Sequence, residues 1–170
     1  MDKKADIIDS IIKSSKPEIV SWSDTYATGI ELIDNQHMEL VKLTNELYMG
    51  CMSGKETANA AFKATMSRMV EYVSFHFTTE QKLLELVKYP KYREHKKLHD
   101  TLVVNILEAV KEYEKGTKFV PNQFVRTLKD WIFGHIAVFD KGYSLFIREQ
   151  KKKGLITDGQ LSKEQISNIK

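Results

Sequence analysis

The feature that most narrows the folds open to this chain is an inward stripe that recurs at steps of four and three residues in four separate segments. Between Thr57 and Val87 it runs Phe62, Met66, Met69, Val73, His76, Glu80, Leu83 and Val87. At about 100° per residue, steps of four and three keep returning to one side of an α-helix. The segment therefore reads as one long amphipathic helix, closed at Tyr89-Pro90 because proline forces the residue before it into an extended conformation. A second helix is predicted from about Lys91 to Lys115, with Tyr92, His95, His99, Leu102, Ile106, Ala109 and Tyr113 on its inner face and Gly116 at its end. Upstream, Ile33, His37, Leu40, Thr44 and Leu47 mark a helix from roughly Ile30 to Met52, stopped by Ser53-Gly54. Downstream, Phe124, Leu128, Trp131, His135, Phe139, Tyr143 and Phe146 mark a fourth, beginning just after Pro121, a residue suited to a first helical turn.

Helices of about 23 to 31 residues with short connections pack naturally as antiparallel neighbours. The predicted fold class is thus all-α, an antiparallel up-down four-helix bundle with an N-terminal arm and a short C-terminal extension. A chain of 170 residues is sufficient for one substantial core. The expected organisation is an N-terminal extension over residues 1–21, the bundle over 22–150 and a C-terminal extension over 151–170. In the first, Ile7, Ile8, Ile11 and Ile12 suit a short amphipathic helix, followed by a Lys16-Pro17 break and an arm carrying Trp22 that packs across the bundle. In the last, Ser162-Lys163-Glu164-Gln165 has the form of a capping box opening a brief helix with Ile166 and Ile169.

Charge and composition exclude several functions. With 26 basic and 23 acidic residues the balance is too even to suggest a nucleic-acid partner. The run Lys151 to Lys153 reads as a solvated helix end. No stretch approaches the roughly 18 uninterrupted apolar residues of a membrane span, so no membrane insertion is expected. The start, MDKKADIIDSIIKSS, does not resemble a secretory signal, and the single cysteine, Cys51, cannot form an internal disulfide. A cytoplasmic protein is the expectation.

The chemistry lies in where the histidines fall. The chain has five, and the stripes place all five inward, distributed one, one, two and one over the four helices. His76 and Glu80 are four apart, as are His95 and His99, and such pairs lie about 40° apart on one helix face, where each can grip one ion. Burying Glu80 and Asp140 in a helical core is expensive without a cation, whereas a metal makes carboxylates and imidazoles mutually necessary. His135 and Asp140 break the pattern, because five residues on a straight helix are about 140° apart. Either a local irregularity intervenes, such as a single π-type turn between Ile136 and Asp140, or the two side chains approach a metal pair from different sides. Five nitrogen donors and two carboxylates exceed one ordinary site and suit a pair of octahedral metals with one position left open. Imidazole and carboxylate without thiolate suit iron, with manganese or zinc as the other choices.

Several fragments together resemble the hemerythrin family, in particular its bacterial members. They are Gly29-Ile30-Glu31-Leu32-Ile33-Asp34-Asn35-Gln36-His37, His76-Phe77-Thr78-Thr79-Glu80, Tyr89-Pro90 with His95-Lys96-Lys97-Leu98-His99, and Trp131-Ile132-Phe133-Gly134-His135 with Asp140. The resemblance runs from Trp22 to about Arg148. It implies two iron ions: one held by His95, His99 and His135, the other by His37 and His76, with Glu80, Asp140 and an oxide or hydroxide bridging them. The second iron then carries the open position for dioxygen, and Ile132 matches an aliphatic residue of the oxygen pocket. Phe75, Phe77, Trp131 and Phe139 read as plain core.

The function that follows is reversible dioxygen binding for storage, delivery or buffering, not enzymatic turnover. Five imidazoles with only two carboxylates donate less negative charge than a four-carboxylate site, which favours binding over oxidation. The alternatives are an oxygen or redox sensor acting through a separate partner, and a di-iron oxidase or peroxidase. The latter class is built on paired Glu-x-x-His motifs, which this sequence lacks. The terminal extensions are candidates for docking a protein partner or a second copy of the chain.

Overall fold

The computed structural model describes residues 18–52, 55–116 and 121–167. Four long helical rods form an antiparallel up-down bundle: α1 (Glu31–Met52), α2 (Lys55–Leu86), α3 (Tyr92–Glu114), and a continuous fourth rod made of α4 (Pro121–His135), a π-helical segment (Ile136–Asp140) and α5 (Lys141–Lys152). After it come a 3-10 turn (Asp158–Leu161) and a short helix, α6 (Lys163–Ser167). Among the described residues there is no strand, and no helix is long and apolar enough to cross a membrane.

The stripes are the core. On α2 every predicted inward residue of the stripe, from Phe62 to Leu83, is buried, as is Val87 just past its end. The apolar interior divides into two clusters. The larger contains Leu40, Leu47, Phe62, Met69, Val73, Leu102, Ile106, Leu128 and Ile132. The smaller contains Ile30, Ile33, Leu83, Leu84, Val87, Tyr143 and Ile147, joined by Ile156, Leu161 and Ile166 from the C-terminal extension. The histidines and the two acids lie between them in sequence on every rod, so the polar layer has apolar packing above and below.

The turn between α2 and α3 is built by hydrogen bonds. Tyr89 N–H donates to Leu84 O at 2.9 Å and Lys88 N–H to Glu85 O at 3.0 Å, with Lys88 at φ 52°. This is the paired closure of a left-handed helix stop, here with a lysine where glycine is usual. At the start of α1, Asp34 accepts from Thr28 N–H at 2.6 Å and Gly29 N–H at 3.0 Å, tying the incoming arm to the helix three residues before His37. The arm crosses the bundle as expected. Asn45 clamps it by accepting from Ile19 N–H at 3.0 Å and donating to Val20 O at 2.8 Å, and Tyr26 lies edge-on to Phe133 at 4.8 Å between ring centroids. The isoleucines before Pro17, the Ser53-Gly54 stop and Ile169 fall outside the described residues.

Two aromatic residues expected in the core are not there. Phe75 is 54% exposed and Phe139 42% exposed. On α2, Phe75 lies one residue off the stripe, on the turn that faces outward. Phe139 is displaced by the π segment: four residues after His135 it would share the inner face of a regular helix, but the wider turn hands that place to Asp140, and Phe139 rotates outward. The contrast is measurable. Phe62→Ala, at a site only 2% exposed, should cost about 3–5 kcal/mol in urea unfolding, and Phe139→Ala less than about 1 kcal/mol. Comparable losses at the two positions would contradict the outward rotation.

Candidate metal centre

Each rod brings its donors to the same level. His37 comes from the second turn of α1, His76 and Glu80 from the last third of α2, His95 and His99 from the first two turns of α3, and His135 and Asp140 from the two ends of the α4–π junction. All seven are buried. The predicted irregularity between Ile136 and Asp140 is a π-helical segment over those same residues, and it brings the Asp140 carboxylate to 3.1 Å from His135 Nε2.

The donors fall into two groups that share a carboxylate. In the first, His135 Nε2 lies 2.9 Å from His99 Nε2 and 3.2 Å from His95 Nε2, and Glu80 Oε2 is 3.1 Å from His99 Nε2 and 3.5 Å from His95 Nε2. In the second, Glu80 meets His37 and His76, and the donor atoms of each group lie within 4.8 Å of one another. Asp140 spans both: Oδ1 faces His135 and His95, at 3.1 and 3.5 Å, while Oδ2 is 3.2 Å from His37 Nε2. The result is three imidazoles on one side, two on the other, and two carboxylates between.

These contacts are close without being aligned for hydrogen bonding. Both oxygens of Glu80, both oxygens of Asp140 and both ring nitrogens of His37 are buried with no hydrogen-bond partner. Orphaned charged atoms in an apolar core are among the costliest arrangements available to a fold. Lone pairs converging on two shared points, from donors of imidazole and carboxylate type, are what one or two divalent cations require. The donor set therefore fits a metal pair.

The electrostatics agree. Burial pushes the Glu80 carboxyl up, but the imidazoles of His95 and His99 outweigh it and hold the group well below the usual carboxylate range. Asp140 is lowered too: burial and the Glu80 charge oppose ionisation, and His135 and His37 overcome them. Both acids are thus ionised. Burial also drives the His76 imidazole down to about 3, and Gln36 Oε1 accepts from its Nδ1 at 3.0 Å. That bond places the proton on Nδ1 and leaves the Nε2 lone pair facing the centre. The Gln81 side-chain amide lies 3.5 Å from His99 Nδ1 in a similar position.

Aromatic rings wall the layer. Phe77 stacks on His99 at 3.6 Å with an interplanar angle of 1°, and Trp131 stacks on His135 at 4.6 Å and 10°. Trp22, from the arm, lies 6.2 Å from the His37 ring. Tyr143 stands beside the carboxylates with its hydroxyl buried and unpaired; burial and the charges of Glu80 and Asp140 keep the phenol protonated. Ile132 is buried one turn before His135, in the larger cluster.

Sequence reasoning missed Gln36, and it placed Tyr143 on the stripe without giving it a role in the site. The signal for Gln36 was present: an uncharged polar residue one step before a buried histidine, on a helix whose neighbouring imidazole needs an acceptor behind it.

The low His76 value has a defined consequence for the metal-free protein. A folded pKa near 3 against an ordinary 6.5 means the unfolded chain binds more protons between those values. The His76 contribution to stability is therefore complete above about pH 6.5 and lost as pH falls toward about 3. Ring nitrogen NMR shifts of His76 should stay those of a neutral imidazole from about pH 7 to about pH 4.5. A titration midpoint near the ordinary value would show that the ring is not desolvated.

A family model described as the hemerythrin HHE cation binding domain matches residues 28–144, a stretch that includes every donor described above. A bacteriohemerythrin of Pseudomonas aeruginosa (strain UCBPP-PA14) is 34% identical over 122 residues, covering 72% of this chain and 77% of that protein. A bacteriohemerythrin of Stenotrophomonas maltophilia (strain R551-3) is 27% identical over 126 residues, covering 74% and 80%. A crystal structure of wild-type hemerythrin shares the bundle fold, with a TM-score of 0.69 at 24% identity, over 74% of this chain and 95% of that one. The chain belongs to the hemerythrin family of non-haem iron, oxygen-binding proteins.

Proposed function

We propose that this chain binds dioxygen reversibly at a di-iron centre, for storage, delivery or buffering, and is not an enzyme. The observation that carries the reading is the unequal convergence of the donors: three imidazoles face one point and two face the other, with Glu80 and Asp140 between. His95, His99 and His135 would hold one iron, His37 and His76 the other, and the two carboxylates would bridge them together with an oxide or hydroxide. The side with two imidazoles has one donor fewer, and so one position for an exogenous ligand. Two ferrous ions held this way would supply the two electrons that reversible dioxygen binding requires.

The chain's own residues set the terms. Gln36 holds the His76 tautomer, so that this ligand presents a neutral nitrogen without losing a proton. Phe77 and Trp131 fix the planes of His99 and His135 by stacking, which limits how far the ligands can follow a change in metal radius. The apolar clusters on either side keep bulk water from the layer, and Ile132 would supply part of the dry surface against which dioxygen sits. Water exclusion keeps solvent protons from the layer, which favours release of dioxygen unchanged.

The test is an absorption spectrum of the iron-loaded protein before oxygen is admitted, after, and again after its removal. A ligand-to-metal charge-transfer band that appears and then disappears is expected, at about two irons per chain. Sustained consumption of oxygen with an electron donor present would identify an oxidase instead. Glu80→Ala, which deletes a bridge, should bring iron retention well below two per chain, and full retention would remove Glu80 from the ligand set.

Gln36→Leu keeps the volume near His76 and removes the acceptor. It should weaken metal binding by about 10- to 100-fold in a competition titration with little change in helix content, and Gln36→Glu, which keeps an acceptor, should recover most of the loss. Equal affinity in the leucine variant would make the Gln36 contact incidental.

A further inference from the structure

We propose that residues 155–167 form a removable plug, and that its opening sets the rate at which metal ions enter and leave the bundle. The proposal rests on the di-iron reading of the buried layer. That layer is walled by the four rods, and at one end it is backed by the larger apolar cluster, whose fully buried members all come from the bundle helices. At the other end the backing is thinner, and part of it does not belong to the bundle. Ile156, Leu161 and Ile166 of the C-terminal extension complete the smaller cluster over Ile30, Ile33, Leu83, Leu84, Val87, Tyr143 and Ile147.

Among the described residues of the extension, those three carry its buried side chains. It leaves α5 through Gly154, whose φ of +72° lets the chain turn back sharply, with Leu155 N–H donating to Gln150 O at 3.0 Å. Beyond that, it consists of a 3-10 turn of four residues and a helix of five, both too short to persist unsupported. Its polar ties to the bundle lie at the surface: the ion pair of Lys151 with Asp158, and a bond from Lys82 Nζ to Ser167 O at 3.5 Å. The other bonds of its described residues beyond Leu155, among them Gln160 with Thr157 and Gln165 N–H with Ser162, are internal to the extension. A segment docked by few apolar contacts, with its polar bonds exposed, opens locally without unfolding the domain.

What lies underneath makes such an opening consequential. Ile33, Leu83, Leu84 and Tyr143 have no exposure at all, and the Tyr143 ring is 5.6 Å from that of His95. With the plug displaced, the cluster that holds Tyr143 loses part of its cover, one side chain away from the carboxylates. A hydrated divalent cation, which has to exchange its waters for the imidazole and carboxylate donors of one group, would find an approach there. The plug also lies beyond residues 28–144, the stretch matched by the family model.

The experiment measures release of ferrous iron to an excess of a strong chelator, without oxygen, from the full chain and from Ile166→Ser and Leu161→Ser/Ile166→Ser variants. The expected result is at least a tenfold faster release in the double variant, with the same two-iron stoichiometry at equilibrium. Hydrogen exchange should show lost protection confined to residues 155–167. A release rate within twofold of the parent, in a variant whose plug amides have lost protection, would overturn the proposal. If the variants do not fold, the parent decides. A release rate that levels off as chelator is raised, at the rate of plug opening read from hydrogen exchange, supports the plug. A rate that rises without limit, or plug amides that exchange only with the whole bundle, overturns it. Failure of the parent to hold two irons would instead remove the di-iron reading, and the plug's role with it.

Discussion

The interaction on which the rest depends is the confinement of two ionised carboxylates and five imidazoles in one buried layer of a helical bundle. An apolar core tolerates such groups only when every lone pair has an electrophile to face. Glu80 and Asp140 have no hydrogen-bond donor for any of their four oxygens, so the packing around them has to serve convergence before it serves density. The stack of Phe77 on His99, that of Trp131 on His135 and the Gln36 acceptor behind His76 all fix a ring whose nitrogen points inward. Each is a helix-borne contact, and helices hold such directions better than loops do.

Much of this was legible because the bundle is built from local periodicity. Steps of four and three on α2 predicted eight inward residues, all of which are buried. The same arithmetic exposed its own exception: His135 and Asp140 could not share a regular helix face, and a π-type turn was one of two ways out. The structure takes that way. What periodicity could not show was its cost to the neighbours. A π turn shifts the register for every residue inside it, so Phe139, which the regular period places on the inner stripe, lies outward.

The unread features share a physical cause, since each is a contact between segments distant in sequence that no single helical period encodes. Asn45 clamps the backbone of Ile19 and Val20, twenty-five or more residues away. Gln36 meets His76 forty residues away. The capping pattern at Ser162 signalled a last helix, and α6 forms there with Ile166 buried, yet only its packing against α2, with Ile166 in one cluster with Leu83 and Leu84, shows that this helix closes the end of the bundle. Local sequence specifies the elements, whereas burial decides which of them matter to the site.

The π turn and the unequal donor count have a common origin. On a regular helix the residue four after His135 would share its inner face, about 6 Å along the axis; here the wider turn gives that inward place to Asp140 and not to Phe139. Asp140 has to face His135 and His37 at once, with one oxygen toward each. One extra residue in the turn keeps the carboxylate inward without moving the residues that follow off the core, since Tyr143 and Ile147 remain buried. The same turn lets one carboxylate face imidazoles of both groups, Oδ1 toward His135 and His95 and Oδ2 toward His37. With Glu80 common to both groups, the five imidazoles divide three and two around two shared acids. A rod that carries one histidine thus serves both groups, because one extra residue stands between that histidine and the aspartate.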